Sequence, residues 1–561
     1  MKTKNIFKIT PHLYMFIAAI GMIGLLGSCE DFLEEEDIRN VNLSYYETPE
    51  GFERGVNFGY HVFRRYYGNR EGTMVTVMGT DIWVHGGDGG RTRFNDYTPD
   101  LDASDGYWKR HWNDLYQSIN TINSVLAASS EVDMTQTKKD HLTGELHFLR
   151  GHHYYLLVRM FGGVPLNLEP TTGPVTEQYR ASQEEVYEAI VNDLENAIPL
   201  LPDVAGNWGR ATKGAAKHLA AEVYLTRGYI TGDQADFERA AVLAEEVINS
   251  GQYSLLDNFK EIFLSDNERN DEVIFSIQWT KDPLFMSENN RIDWMFIPQY
   301  CKFSSGCART IENGSPWTRH QPSRYLMEEL FDPEIDQRYH GSFQTLWIAD
   351  DSTTIPEENG EPIYSVGDTA IWIPNPRDKK LYNDRPYIVI HPDAPSSHGE
   401  LFSGYLVDRG FMYPALTKHR DFTRLHAKDS KGGKDFLLFR LGITHLIAAE
   451  AYYHQNDPDN AVAHLNVIRE RAAYPGSEEA MKFTADQVDL DLIMDEWALE
   501  TAGEMRRWFD LKRPGADFFV DRIKAHNSYA APNVQEYHAL RPIPQDQIDR
   551  VSNDFPQNPG Y

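Results

Sequence analysis

Two stretches of this chain set flat apolar rings beside charged and amide side chains. Residues 72–107 hold Asp81, Trp83, His85, Asp88, Arg91, Arg93 and Asn95. Residues 282–317 hold Arg291, Asp293, Trp294, Tyr300, Arg309, Asn313 and Trp317. That mixture suits a saccharide. A sugar ring offers one face of C–H groups, on which an aromatic ring can stack. Its rim of hydroxyls needs polar partners, because a hydroxyl buried without one costs roughly 1–3 kcal/mol. The candidate contacts are Asp81, Trp83 and Arg91 in the first stretch and Trp294, Tyr300 and Trp317 in the second. The string His-Gly-Gly-Asp-Gly-Gly (85–90) would let backbone approach a ligand. It is no phosphate loop, since no Lys-Ser/Thr follows it.

Other chemistries find weaker support. His141, His147, His152 and His153 cluster in sequence, and a helix would place His141 and His152 on one face. No carboxylate pair completes a metal set, so they read as packing residues. No H-E-x-x-H spacing and no twelve-residue calcium loop occurs. Glu496, Glu500 and Glu504 would line one helix face. Glycoside hydrolysis needs two carboxylates flanking a cleft from separate elements. These three read instead as structural partners of Arg506, Arg507 or Arg513. The expectation is a binding protein with no catalytic residue, metal or cofactor, and a surface glycoside hydrolase is the alternative.

Compartment follows from the first residues. Lys2, Lys4 and Lys8 precede an apolar run over 15–27, which ends at Leu26-Gly27-Ser28-Cys29. About a dozen apolar residues make an export signal and are too few to span a bilayer. A cysteine after small residues resembles a lipobox, in which Cys29 is acylated and becomes the first mature residue. Residues 1–28 are then the signal and the acidic 29–40 a tether, with the body at 41–561. Only Cys301 and Cys307 remain; they could close a small loop in an oxidising compartment.

The body is large enough for a substantial core, at 561 residues with 41% hydrophobic content. Net charge is −30. Without the leader's three lysines, 51 basic residues face 84 acidic ones, or −33. Such a surface repels phosphate backbones and excludes nucleic acid as a partner.

Several helices must position the two stretches. Leu142, Leu146, Leu149, His153 and Leu156 recur at spacings of four and three, and Gly162-Gly163 stops that helix. Ala215, Leu219 and Val223 mark a second, and residues 237–250 a third. Leu441, His445, Ala448 and Tyr452 pair across Asp457-Pro458 with Val462, Leu465, Ile468 and Ala472. Residues 492–507 read as the last long helix. Alanines at the crossings allow close approach. The fold class is therefore mainly α, a tetratricopeptide-like scaffold over about 105–260 and 435–515. Residues 272–279 read as a strand. About 265–435 reads as a large irregular subdomain built from loops.

Seven strings in order resemble the SusD/RagB family of outer-membrane nutrient-binding lipoproteins. They include GELHFLRGHHYYLLVRMFGGVPL (144–166), RATKGAAKHLAAEVYL (210–225) and YSLLDNFKEIFLSDNERNDEVIFSIQW (253–279). DEWALETAGEMRRWFDLKR (495–513) and RPIPQDQIDRVSNDFPQNPGY (541–561) follow. The resemblance implies a lipid-anchored protein on the outer membrane, facing the exterior. It would capture a glycan without catalysis and deliver it to a SusC-like TonB-dependent barrel. It could also be an accessory lid of that barrel with little ligand affinity. Family ligand sites are generally built from the two aromatic stretches.

Overall fold

The computed structural model describes residues 43–171, 173–282, 288–302, 305–382, 384–393 and 409–561. Cys29, the leader and the acidic tether lie outside the described residues.

The principal helices are α1 (Pro49–Phe63), α2 (Arg70–Thr76), α3 (Gly106–Ala127), α4 (Gln136–Phe161), α5 (Gln183–Leu200), α6 (Lys213–Thr231) and α7 (Gln234–Ile248). After a long intervening segment come α8 (Leu441–His454), α9 (Pro458–Ala472), α10 (Leu490–Thr501), α11 (Arg507–Lys512) and α12 (Ala516–His526). Their ends follow local chemistry. Ser182 and Glu185 form a reciprocal capping box on α5. Thr212 accepts from the Ala215 amide to start α6, and Gly232 ends it at φ +70°. Asp457 caps α9, with Pro458 in its first turn.

Packing runs in chain order from α3 through α7, and α8 then packs on α7, α9 and α10. The scaffold is thus continuous in space although some 190 residues interrupt it in sequence. Small side chains make the crossings close: Ala215, Ala216, Ala220 and Ala221 on α6, Ala240 and Ala244 on α7, and Ala448 and Ala449 on α8 are all buried. From Gly151 to Phe161, α4 is buried on every face. Two histidines of that helix are packing residues: His153 stacks on Phe63 at 4.8 Å, and His152 bonds the Tyr67 hydroxyl at 3.1 Å, whereas His147 pairs with Asp193 at 2.8 Å.

Seven short strands matter to the site: β1 (Trp83–His85), β2 (Val273–Ile277), β3 (His320–Pro322), β4 (Leu346–Ile348), β5 (Thr369–Trp372), β6 (Ile388–Val389) and β7 (Phe436–Arg440). The segment expected to be irregular is framed by β2 and β7, which pair antiparallel. Within it, β4 runs antiparallel and β6 parallel to β5. β1 pairs with β3, which stitches the first aromatic stretch to the intervening segment.

The last long helix ends earlier than its periodicity suggests. α10 stops at Thr501, and Gly503 (φ +82°) and Met505 (φ +59°) turn the chain. Glu504 therefore sits on a turn, not on the face of Glu496 and Glu500. Their partners also differ from those expected. Glu496 binds Arg338 (2.5 Å) and Arg469 (2.6 Å); Glu500 binds Arg440 (2.5 Å) and Arg338 (3.1 Å). Glu504 binds Lys418 (2.7 Å) and Arg440 (3.0 Å). Arg507 and Arg513 turn instead to Asp81 and Glu450. Burial works to raise the pKa of Glu500, but Arg471, Arg440 and Arg338 outweigh it and hold the carboxyl well below the ordinary range. A glycosidase acid needs the opposite shift and access to a cleft.

Candidate functional site

The sequence-derived contacts do not converge as a set. Asp81 is wholly buried and accepts from Arg507 at 2.8 and 2.5 Å and from Arg522 at 3.3 Å. Burial favours its neutral form, but Arg507 and Arg522 prevail and keep its pKa below the usual value. It ties the first stretch to the C-terminal helices. Trp83 is 1% exposed, edge-on to Phe296 at 4.9 Å. Tyr300 is also buried; its hydroxyl donates to the Gly314 carbonyl at 2.6 Å and its ring stacks on Trp347. These three offer no free face to a sugar. The paired glycines also serve the protein's own backbone. A Cβ on Gly86 would stand 2.4 Å from the Thr318 carbonyl oxygen, and the Gly87 amide donates to Gly410. Cys301 and Cys307 are both free thiols rather than a bridge. The Cys307 sulfur faces the Ile348 carbonyl, and burial pushes its pKa up to about 12.

Of the other three, Arg91 lines a cleft, and Trp294 and Trp317 pack against its Arg291. Arg91 lies 5.5 Å over the Tyr107 ring. Trp294 and Trp317 meet edge to face at 5.4 Å, and the Arg291 guanidinium lies 5.6 and 5.5 Å from their rings. Trp294 is buried, whereas Trp317 keeps part of its surface in solvent. The contacts around these stretches hold strained backbone at Arg91 and, just past the second stretch, at Thr318. Arg91 has φ +63° and Thr318 φ +53°, a region a β-branched residue rarely adopts. The Thr318 hydroxyl accepts from Gln299, and residues 317–319 bond the backbone of 294–297, so Trp317 is fixed against Trp294.

Two adjoining cavities, about 410 and 620 Å³, share the ridge Arg70, Glu71 and Arg110. The first is lined further by Arg65, Asn69, Asp114, Glu288, Asn289 and Arg291. The second takes in Arg91, Arg93, Asp105 and Tyr107. α2 supplies Arg70 and Glu71, and the first three turns of α3 supply Tyr107, Arg110 and Asp114. Arg65 binds Asp114 at 2.6 Å and Arg70 binds Glu71 at 2.6 Å. Arg110 approaches Glu71 at 3.5 Å, and Arg93 pairs with Asp105. Sequence reading missed Arg65, Arg70 and Arg110. The signal for Arg110 was present: on a helix it stands one turn from Tyr107, facing the same way.

Volumes of this size and polar partners from several elements, with the half-open Trp317 packed against Arg291, suit an oligosaccharide more than a compact apolar ligand. Among the described residues, no group of three or more His, Cys, Asp or Glu is placed to hold a metal ion.

Part of this cleft, though not the ridge of Arg70 and Glu71, falls within stretches that match known proteins. The profile described as "SusD family" matches residues 271–561, and "Starch-binding associating with outer membrane" matches 82–225. The chain belongs to the SusD family. It is 34% identical to "Starch-binding protein SusD" of Bacteroides thetaiotaomicron over 76% of this chain and 74% of that one. It is 25% identical to "SusD-like protein P2" of Formosa agariphila over 97% and 99% of the two chains. Among solved structures, a "Laminarin binding SusD-like protein" superposes with a TM-score of 0.66 at 24% identity, covering 92% of this chain and all of that one. The tetratricopeptide-like scaffold is therefore the SusD-family fold. Arg91, Tyr107 and Arg110 lie in one matched region, and Arg291, Trp294 and Trp317 in the other.

Proposed function

We propose that the protein captures an oligosaccharide or polysaccharide nutrient at the cell surface and delivers it to a SusC-like TonB-dependent outer-membrane transporter, without catalysis. The observation that carries this reading is the cleft whose lining sets Tyr107 among arginine, asparagine and carboxylate side chains, with the partly exposed Trp317 packed against its Arg291. Stacking surface and hydroxyl partners stand together there, as saccharide recognition requires. Family membership supports carbohydrate binding, and two relatives bear names for starch and laminarin. The order of leader, apolar run and Cys29 supports an acyl anchor, which holds firmly only with more than one chain. The test is calorimetry of the full chain in detergent against a glycan panel, with reducing-end release followed in parallel and membranes probed for a co-purifying barrel. Saturable binding without new reducing ends is the expected result. Enzyme-rate release would replace capture with hydrolysis.

A further inference from the structure

The charge of the cleft is unevenly divided: the larger cavity sets four arginines against four carboxylates, and the smaller does not balance. Four arginines, Arg65, Arg70, Arg110 and Arg291, line its smaller cavity beside three carboxylates, Glu71, Asp114 and Glu288. Those carboxylates are already engaged: Asp114 by Arg65 at 2.6 Å, Glu71 by Arg70 at 2.6 Å and Arg110 at 3.5 Å, and Glu288 by Arg65 at 3.6 Å. Among the described residues, Arg291 has no carboxylate within salt-bridge distance; its contacts are the faces of Trp294 and Trp317. The Nε atoms of Arg291 and Arg70 are both buried with no acceptor. An unsatisfied guanidinium held rigid on two indoles is an anion receptor awaiting its anion, because its donors are preorganised in the fork that fits a carboxylate or sulfate. This surplus positive charge stands on a chain of net charge −30, where chance would place surplus acid. Burial and the nearby Arg70 also lower the pKa of Arg291, a repulsion that a bound anion would relieve.

We infer that the saccharide taken here carries an anionic substituent, a carboxylate or a sulfate ester, which docks on Arg291 and Arg70 while the sugar lies against Trp317. This deepens the capture reading and rests on it. A neutral glycan would fill the cavity with hydroxyls and leave the surplus charge uncompensated. A uronate or sulfated unit supplies both the missing acceptor and the missing charge.

The full chain in detergent is titrated calorimetrically with short oligogalacturonates, short sulfated galactans, and neutral malto- and laminari-oligosaccharides. Binding of at least one acidic set, stronger than either neutral set, is expected. Arg291→Gln should weaken it tenfold or more, the scale of a charge-assisted bond. Arg291→Lys should weaken it less, and about 1 M NaCl, with a Debye length near 3 Å, should weaken it strongly. The two acidic arms separate carboxylate from sulfate. Arg291→Gln strips no carboxylate of a partner, so its thermal midpoint should match the parent. Arg110→Gln, on a 58% exposed side chain, provides a second variant in the same cavity. Preference for neutral oligosaccharides, or acidic binding indifferent to both substitutions, overturns the charge assignment and leaves glycan capture standing. Failure of every saccharide to bind overturns both.

Discussion

Two regions of this protein are built from arginine and carboxylate, and they differ in one respect. Around Glu496, Glu500 and Glu504 every carboxylate is met by arginine or lysine: Arg338, Arg440, Arg469, Arg471 and Lys418 converge there, almost wholly out of water. In the cleft the same side-chain types are half solvated, and two arginines, Arg91 and Arg291, rest on aromatic rings with no acid in salt-bridge distance among the described residues. A complete buried network fixes geometry, since removing any partner strands a charge in low dielectric. An incomplete, accessible one has a donor to spare. The difference teaches that completeness, not composition, separates a structural ionic cluster from a receptor.

The sharpest way to break that contrast is at Arg440, which serves Glu272, Glu500 and Glu504. Arg440→Ala should cost about 3–5 kcal/mol or more in urea unfolding, since three buried carboxylates lose a partner. A mild effect would mean the network is not the anchor described. Nearly as large is Trp83→Ala, at about 3–5 kcal/mol through the cavity it leaves. Trp317→Ala should instead leave the unfolding midpoint nearly unchanged and weaken glycan binding. Equal behaviour of the two variants would erase the distinction between core and cleft tryptophans.

Acid gives a third measure. Burial alone would raise the pKa of Glu222, but Arg506 and Arg159 bring it down to about 2 from 4.5. Its folded pKa is depressed, so its stabilisation is full above pH 4.5 and is lost as pH falls toward 2. Unfolding free energy should drop by roughly 2–3 kcal/mol across that window, and Glu222→Gln should flatten the slope. Smallest is Arg110→Gln in the cleft, expected to shift stability by about 0–1 kcal/mol because the pair it breaks is exposed. Its effect belongs in affinity. Marked unfolding there would blur the two regions.

The scaffold was legible because its signals are local. Leucines at spacings of three and four, the Gly162-Gly163 stop and the Asp457-Pro458 break lie within single elements. The two regions beside the cleft were legible because rings and arginines share a loop; Arg91 lies in the cleft, and Trp294 and Trp317 lie against its Arg291. Trp83 and Asp81 misled for a shared reason. Trp83 lies in a three-residue strand, too short for alternation to show, and its partner strand lies more than two hundred residues onward. Asp81 finds its arginines at 507 and 522. Burial decided by such distant neighbours leaves no periodic trace. Glu496 and Glu500 did sit on one face, but Arg338 and Arg440 arrive from outside that helix. The turn at Gly503 moved Glu504 off the face, against strong apolar periodicity just before it.

The pairing of Val273–Ile277 with Phe436–Arg440 brings the two ends of the intervening segment side by side on the helical body. A segment clasped at its base can lengthen or shorten at modest entropic cost, roughly 0.6 kcal/mol for each doubling of a flexible loop. Its outer turns are thus free to be recut, provided the rivets Arg338 and Lys418 keep it seated over Glu496 and Glu504. One cassette can be retailored there while the frame that holds it stays as it is.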